Sequence, residues 1–229
     1  MKKIINYSIK SEALSWFILG VVAIVSIYFY THFPAVVPTH WGINGEVDAW
    51  SSRAIGAFLF PGIIIFTYSI FLFLPMLDPK KERYEQFEKV YGVFKNTIIV
   101  FMAIAYFITG LYALGYNIAV GRIMPMMIGV LFIILGNYMG KLKSNWFVGI
   151  KTPWTLSSED VWNKTHNFGG KVFVISGLII FFMDWYPVSV RLYIFIATII
   201  LLVFGTFAYS YYLFIKEKKH GKNDNELPK

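Results

Sequence analysis

Six long apolar blocks constrain the fold of this chain more than any other feature of its sequence. They cover residues 13–31, 54–75, 96–119, 121–140, 168–186 and 189–215. An α-helix needs roughly 20 apolar residues to cross a hydrocarbon core about 30 Å thick, and each block is close to that length. The chain is 57% hydrophobic, whereas soluble domains are about 45–50% apolar. We therefore predict an all-α, polytopic transmembrane helical bundle of about six spans.

Two of the blocks allow more than one interpretation. The first follows Lys2, Lys3 and Lys10, as a secretory signal would, but no small-residue cleavage site follows it, so we interpret it as an uncleaved anchor. The fifth is the weakest, because its strictly apolar run, residues 172–183, is short and Lys171 precedes it. Five spans remain an alternative. On the fourth block, Gly129, Gly136 and Gly140 predict a small-residue face for helix packing.

The basic residues predict the orientation. If the N-terminus lies in the cytoplasm, Arg53, Arg122 and Arg191 fall outside, and the other 18 of the 21 Lys and Arg residues fall inside. Cytoplasmic loops accumulate Lys and Arg, so both ends are predicted to be cytoplasmic. The net charge of +8 then reflects membrane topology, and we predict no direct nucleic-acid binding.

The blocks also predict a domain organisation. Residues 1–95 form a two-span N-terminal region, residues 96–215 form a four-span region, and residues 216–229 form a disordered basic tail. The chain has no cysteine, which excludes disulfides, thiolate metal sites and a cysteine nucleophile. No block carries Asp, Glu, Arg or His well inside its apolar stretch. Ion-coupled transporters usually keep such a residue, so a peptide or small-molecule transporter is the second hypothesis.

The predicted external loop reads PTHWGINGEVDAW from Pro38 to Trp50. Its glycines permit tight turns, and we single out His40, Trp41, Gly45 and Asp48. With Glu46 and His32, the histidine and aspartate offer metal-ligand chemistry, but the spacing matches no known ligand template. We therefore predict a structured cap on the outer face, with no metal and no cofactor.

The predicted internal loop reads NWFVGIKTPWTLSSEDVWNKTHNFGGK from Asn145 to Lys171. Pro153 favours an extended Thr152. Ser157 or Ser158 is a suitable N-cap, with acidic residues in the first turn of the helix that follows. A short helix beginning there places four residues on one face. These are Trp162, Thr165, His166 and Gly169.

Two interpretations of this loop remain open. In the first, Lys151, Thr152, Trp154 and Thr155 form a recognition surface beside Trp162 and His166. In the second, the loop is a connector fixed by its Trp rings, and His166 is a hydrogen-bonded structural residue. No nucleophile stands beside a base in this loop, so we predict that the protein is not an enzyme. A hydrolase or transferase using His40, Glu46 and Asp48, or His166 with Asp160, is a third hypothesis that lacks a partner set.

The segment GIKTPWTLSSEDVW, from Gly149 to Trp162, resembles the signature of the SdpI family of bacterial membrane immunity proteins. The external segment is similar to a small domain of unknown function that precedes it in longer members. The resemblance implies a multi-pass protein of the bacterial plasma membrane that gives resistance to a secreted antimicrobial peptide toxin. In the best-known form it also implies signalling by membrane sequestration of a transcriptional repressor. The family's motif falls here on Asn145, Gly149, Lys151, Thr152, Pro153, Trp154, Thr155 and Trp162, and we add His166.

Overall fold

A computed structural model describes residues 9–224, and it is a bundle of long helices with one β-hairpin. The predicted all-α bundle is confirmed, and the hairpin is its one addition. The long helices are α1 (Ile9–His32), α2 (Arg53–Leu77), α3 (Glu88–Ala113), α4 (Val120–Met139), α6 (Glu159–Phe181) and the pair α7 (Val188–Ile200) and α8 (Thr206–Asp224). The shorter elements are β1 (Val36–Trp41), β2 (Val47–Ser52), α5 (Pro153–Ser157) and 3-10 turns at Lys81–Gln86 and Met183–Trp185.

The chain passes back and forth between two ends of the bundle. We call the end that carries β1 and β2 the hairpin end, and the end that carries residues 141–158 the motif end. At the hairpin end Asp184, which follows α6, pairs with Arg122 of α4 and Arg191 of α7. At the motif end Ser158, which precedes α6, donates a hydrogen bond to Glu217 of α8 at 2.9 Å. The helices therefore alternate in direction along the chain.

Across the described residues 9–224, five helical segments are long and apolar enough to cross a membrane, and α6 is not one of them. It nevertheless runs antiparallel to α4 along the length of α4, because Gly129 faces Gly177 and Gly136 faces Gly170. A Cβ added at Gly136 would lie 2.7 Å from the carbonyl oxygen of Gly170. The predicted small-residue face is therefore the contact between these two helices, and α6 makes a sixth pass through the bundle.

The start of α6 agrees with the sequence, and its length does not. Ser158 is the N-cap, and its Oγ accepts from the Val161 N–H at 3.3 Å. The helix predicted to be short is continuous with the fifth apolar block. Gly169 and Gly170 do not end it, because both are buried in helix contacts.

The last pass is one continuous helical segment. A π-helical turn at Leu201–Gly205 joins α7 to α8, and α8 continues to Asp224. Most of the segment predicted to be a disordered tail is therefore helical as far as it is described. Residues 225–229 lie outside the described part of the chain.

The loop predicted to be external folds into an antiparallel hairpin of β1 and β2, with register irregularities around His40. At its tip Gly45 has φ of +83°, and its ideal Cβ would lie 3.2 Å from Cα of Gly121 at the start of α4. Only glycine combines this left-handed backbone with such a close approach. The predicted cap on this loop is thus a two-stranded element seated on α4.

The structure also shows an ion pair that the apolar blocks concealed. Glu12 of α1 and Lys95 of α3 are each less than 5% exposed and form a salt bridge. The Tyr68 hydroxyl donates to Glu12 at 2.9 Å, and the Trp16 indole donates to Tyr68 at 2.7 Å. Glu12 lies one residue before the first predicted block, and Lys95 lies one residue before the third. The predicted spans do not contain this ion pair because both of its residues lie just outside their bounds.

Candidate functional site

The loop at the motif end is organised around one buried amide. The side chain of Asn145 is fully buried. Its Nδ2 donates to the carbonyls of Lys143 and Val148, both at 2.9 Å. Its Oδ1 accepts from the N–H groups of Phe147 and Val148, at 2.9 and 2.7 Å. Asn145 therefore uses every donor and acceptor of its side chain to close the turn.

Thr152 and Thr155 form a reciprocal cap on α5. Thr152 is extended, with φ of −122° and ψ of 162°, as predicted from the following proline, which stands at the first position of the helix. Its Oγ1 accepts from the Thr155 N–H, and the Thr155 Oγ1 accepts from the Thr152 N–H at 2.9 Å. The Thr152 hydroxyl also lies 3.1 Å from Ser210 Oγ on α8. The Thr-Pro-Trp-Thr segment thus ties α5 to the last helix.

Trp162 and His166 form a buried stack one turn apart on α6, with ring centroids 3.9 Å apart. The Trp162 indole donates to the Leu142 carbonyl at 2.8 Å. His166 Nδ1 lies 2.8 Å from the Trp162 carbonyl, and its Nε2 accepts from the Ile150 N–H at 2.9 Å. The ring is therefore the neutral Nδ1–H tautomer, because a carbonyl can only accept. Burial lowers the pKa of His166 from 6.5 to about 4.

Gly149 and Trp154 complete the motif. Gly149 has φ of +119°, and its ideal Cβ would lie 2.4 Å from His166 Nε2, so a side chain there would displace the histidine. Trp154 packs against Phe207 and Tyr211 of α8, at centroid distances of 4.8 Å for both. Lys151 is exposed, and its Nζ donates to the Phe147 carbonyl at 2.9 Å.

Half of the predicted recognition surface, Thr152 and Thr155, is therefore interior. Asn145, Thr152, Thr155, Trp162 and His166 are buried. This burial favours the connector interpretation. Exposed residues of the loop include Trp146, which is 50% exposed, Lys151, Pro153 and Ser157.

Two residues of the preceding loop, Asp78 and Lys80, belong to this site, and neither is among the residues predicted from the sequence. The Asp78 carboxylate is 2% exposed. It accepts from the N–H groups of Lys80 and Trp146 and from the Tyr84 hydroxyl. Lys80 Nζ donates to Ser144 Oγ at 2.7 Å. The Asp-Pro step directly after the second apolar block was the available signal, because an aspartate at a helix end commonly organises a turn.

The hairpin-end residues are arranged differently. His40 and Asp48 pair across the two strands, and both are exposed. The Trp41 ring packs edge-on against Tyr112 of α3, with centroids 5.5 Å apart. Its indole nitrogen is buried and has no hydrogen-bond partner among the described residues. Within residues 9–224 no three His, Asp or Glu residues are grouped to hold a metal ion.

A cavity of about 750 Å³ lies beneath this hairpin. Its walls come from β1, α2, α3, α4 and α7, and they are mostly aliphatic and aromatic. The apolar lining includes Ala113, Met124 and Phe195. The polar lining includes Asp184 and Arg191. The volume lies within the ~300–1,000 Å³ typical of ligand pockets. This end of the bundle therefore has room for a ligand.

Comparisons with known proteins agree with the resemblance. Residues 141–210 match the SdpI/YfhL protein family, and residues 17–65 match a domain of unknown function (DUF1648). The chain is 29% identical over 205 residues to the "Immunity protein SdpI" of Bacillus subtilis (strain 168). The aligned region covers 89% of this chain and 96% of that protein. No solved structure gives a significant match. The resemblance to the SdpI family is therefore confirmed, with the domain of unknown function on its N-terminal side.

Proposed function

We propose that this chain, which carries the SdpI family region at residues 141–210, is a multi-pass immunity protein of the bacterial plasma membrane. It protects the cell that makes it against a secreted antimicrobial peptide toxin. The observation that carries the proposal is the similarity to an immunity protein over nearly the full length of both chains. That similarity spans the hairpin end and the motif end together.

The proposed orientation places the motif end in the cytoplasm. Arg53, Arg122 and Arg191 lie at the hairpin end, and Lys residues of the loops 78–87 and 141–158 lie at the motif end. This distribution supports a cytoplasmic motif end, because cytoplasmic loops are enriched in Lys and Arg. Cysteines placed singly at the exposed Asn44 and Ser157 test it in this cysteine-free chain. An impermeant thiol reagent should label only the first in intact cells, and labelling of the second would reverse the orientation.

The proposal is non-enzymatic. Both ring nitrogens of His166 are engaged by backbone groups, and the Thr152 and Thr155 hydroxyls are engaged in the cap. None of these groups is free to act as a nucleophile or a base. We assign the motif a positioning role, in which it holds the ends of α2, α4, α6 and α8 together.

Signalling through a bound transcriptional repressor is a second proposal for the motif end. It is favoured by Trp146, which is 50% exposed although the preceding residues Ser144 and Asn145 are buried. Aromatic side chains are enriched in protein-contact surfaces. A Trp146→Ala variant should release a membrane-held repressor and leave toxin survival unchanged. Retention of the repressor by that variant would contradict this role of Trp146.

The main test is survival. This chain is expressed in cells that are sensitive to the toxin against which the Bacillus subtilis relative gives immunity. Their survival is compared with that of cells that carry an empty vector. A Trp154→Ala, Thr155→Ala double variant should lose protection in proportion to its loss from the membrane, because both residues fix α5 to its neighbours. Immunoblots of the membrane fraction measure that loss. No gain in survival by wild type at normal membrane abundance would refute the proposed function.

A further inference from the structure

The cavity at the hairpin end has one wall that is neither a helix nor a sheet face. Successive residues of β1, from Val37 to Trp41, all line it. Side chains on a strand alternate between its two faces. A strand whose consecutive residues border one cavity therefore presents its edge to that cavity.

That edge is unpaired. β1 pairs with β2 on one side, and the sheet of the described residues has no third strand. The register skips Thr39, which has no paired residue on β2, although its Oγ1 lies 3.5 Å from Ser51 Oγ. An open strand edge offers backbone donors and acceptors to an extended chain that lies beside it. Pro38 supplies a carbonyl but no N–H.

The indole of Trp41 is a further hydrogen-bond donor in this cavity, without an acceptor in the described part of the chain. Trp41 lines the cavity, and its buried indole N–H has no partner among the residues described. A buried unpaired donor is costly, at about 1–3 kcal/mol. A ligand carbonyl would satisfy it. The ester carbonyl of a lipid could also accept from the indole, but its hydrocarbon chain would leave the strand edge unpaired.

We propose that this cavity binds an extended apolar segment of the toxin peptide, which adds to β1 as a third strand. The apolar side chains of the peptide enter the cavity, and its backbone pairs with the free edge of β1. One of its carbonyls accepts from the Trp41 indole. The proposal rests on the proposed function and adds to it the site and the mode of binding.

Binding of the labelled toxin peptide to the protein in nanodiscs tests the site. Ala113→Trp fills part of the cavity and should weaken binding at least ~10-fold, because the added ring occupies the volume of the ligand. Ala197→Trp is the matched control, since Ala197 is exposed on α7 and does not line the cavity. Unaltered melting temperatures establish that both variants are folded.

Two further measurements address the mode of binding. Trp41→Phe keeps the ring and removes the N–H, and it should weaken binding about 3–10-fold, as the loss of one buried hydrogen bond does. Trp50→Phe on the exposed side of β2 should have no effect. A peptide methylated at alternate backbone nitrogens keeps its side chains but loses strand pairing, and it should bind more weakly than the parent peptide.

The outcomes separate this inference from the proposed function. Equal affinity of Ala113→Trp and wild type for the toxin would overturn the cavity site. Equal affinity of wild type for the methylated and the parent peptide would overturn strand addition. If wild type protects cells but binds no toxin in nanodiscs, this inference fails and the proposed function stands. If wild type neither binds nor protects, both fail.

Discussion

The motif end and the hairpin end place the same residue types in opposite environments. Asn145, His166 and Trp162 at the motif end are buried and hydrogen-bonded to backbone groups of other turns. Asn44, His40 and Trp50 at the hairpin end are exposed. The segment with the most specific sequence signature is therefore a structural junction, and the open volume lies at the other end of the bundle. Three matched pairs of substitutions test this difference.

The asparagine pair should give the largest effect. Asn145→Ala removes four hydrogen bonds and should lower the free energy of unfolding by roughly 3–4 kcal/mol, at about 1 kcal/mol for each bond. Asn44→Ala removes contacts only to its neighbour Glu46 at the exposed tip and should cost less than ~0.5 kcal/mol. Thermal unfolding in detergent, followed by tryptophan fluorescence, measures both. Equal losses would show that the two ends are equally structural.

The histidine pair should differ in pH dependence. His166 has a pKa of about 4 in the folded protein against 6.5 unperturbed. Between these values the unfolded chain binds more protons, so stability falls as the pH decreases through this window. At ~1.4 kcal/mol per pKa unit, the loss approaches roughly 3 kcal/mol near pH 4.

His166→Gln should flatten this part of the stability profile, although it lowers stability at pH 7 by disturbing the Ile150 contact. His40→Gln is the control, and it should keep the slope because His166 is still present. Unfolding curves at half-unit steps from pH 4 to pH 7.5 measure the slopes. An unchanged slope in His166→Gln would show that another group controls the acid response.

The number of long helices and their alternation follow from the apolar blocks, because hydrocarbon-length runs have few other folds available. The N-cap at Ser158 and the extended Thr152 follow from local rules of backbone geometry. The Glu12–Lys95 pair and the role of Asp78 do not follow, since both depend on contacts between residues more than 60 positions apart. The hairpin was not predicted because Gly and Pro in the loop favour turns and disfavour strands.

The cavity was the least predictable feature of all. It lies between β1, α2, α3, α4 and α7, whose side chains do not fill the space between them. The sequence of a single element cannot predict such a space. The exposed or buried state of a polar motif is equally a tertiary property. The recognition surface predicted for residues 151–155 was therefore consistent with the sequence, yet two of its four residues are buried.

The tryptophan pair should give the smallest effect of the three. Trp162→Phe keeps an aromatic ring on His166 but leaves the buried Leu142 carbonyl without its donor, which should cost about 1–2 kcal/mol. Trp50→Phe on exposed β2 should change stability by less than ~0.5 kcal/mol. Both are measured by thermal unfolding at pH 7. A negligible cost at Trp162 would mean that stacking and burial, without the indole hydrogen bond, hold this junction together, and the contrast between the two ends would then depend on Asn145 and His166.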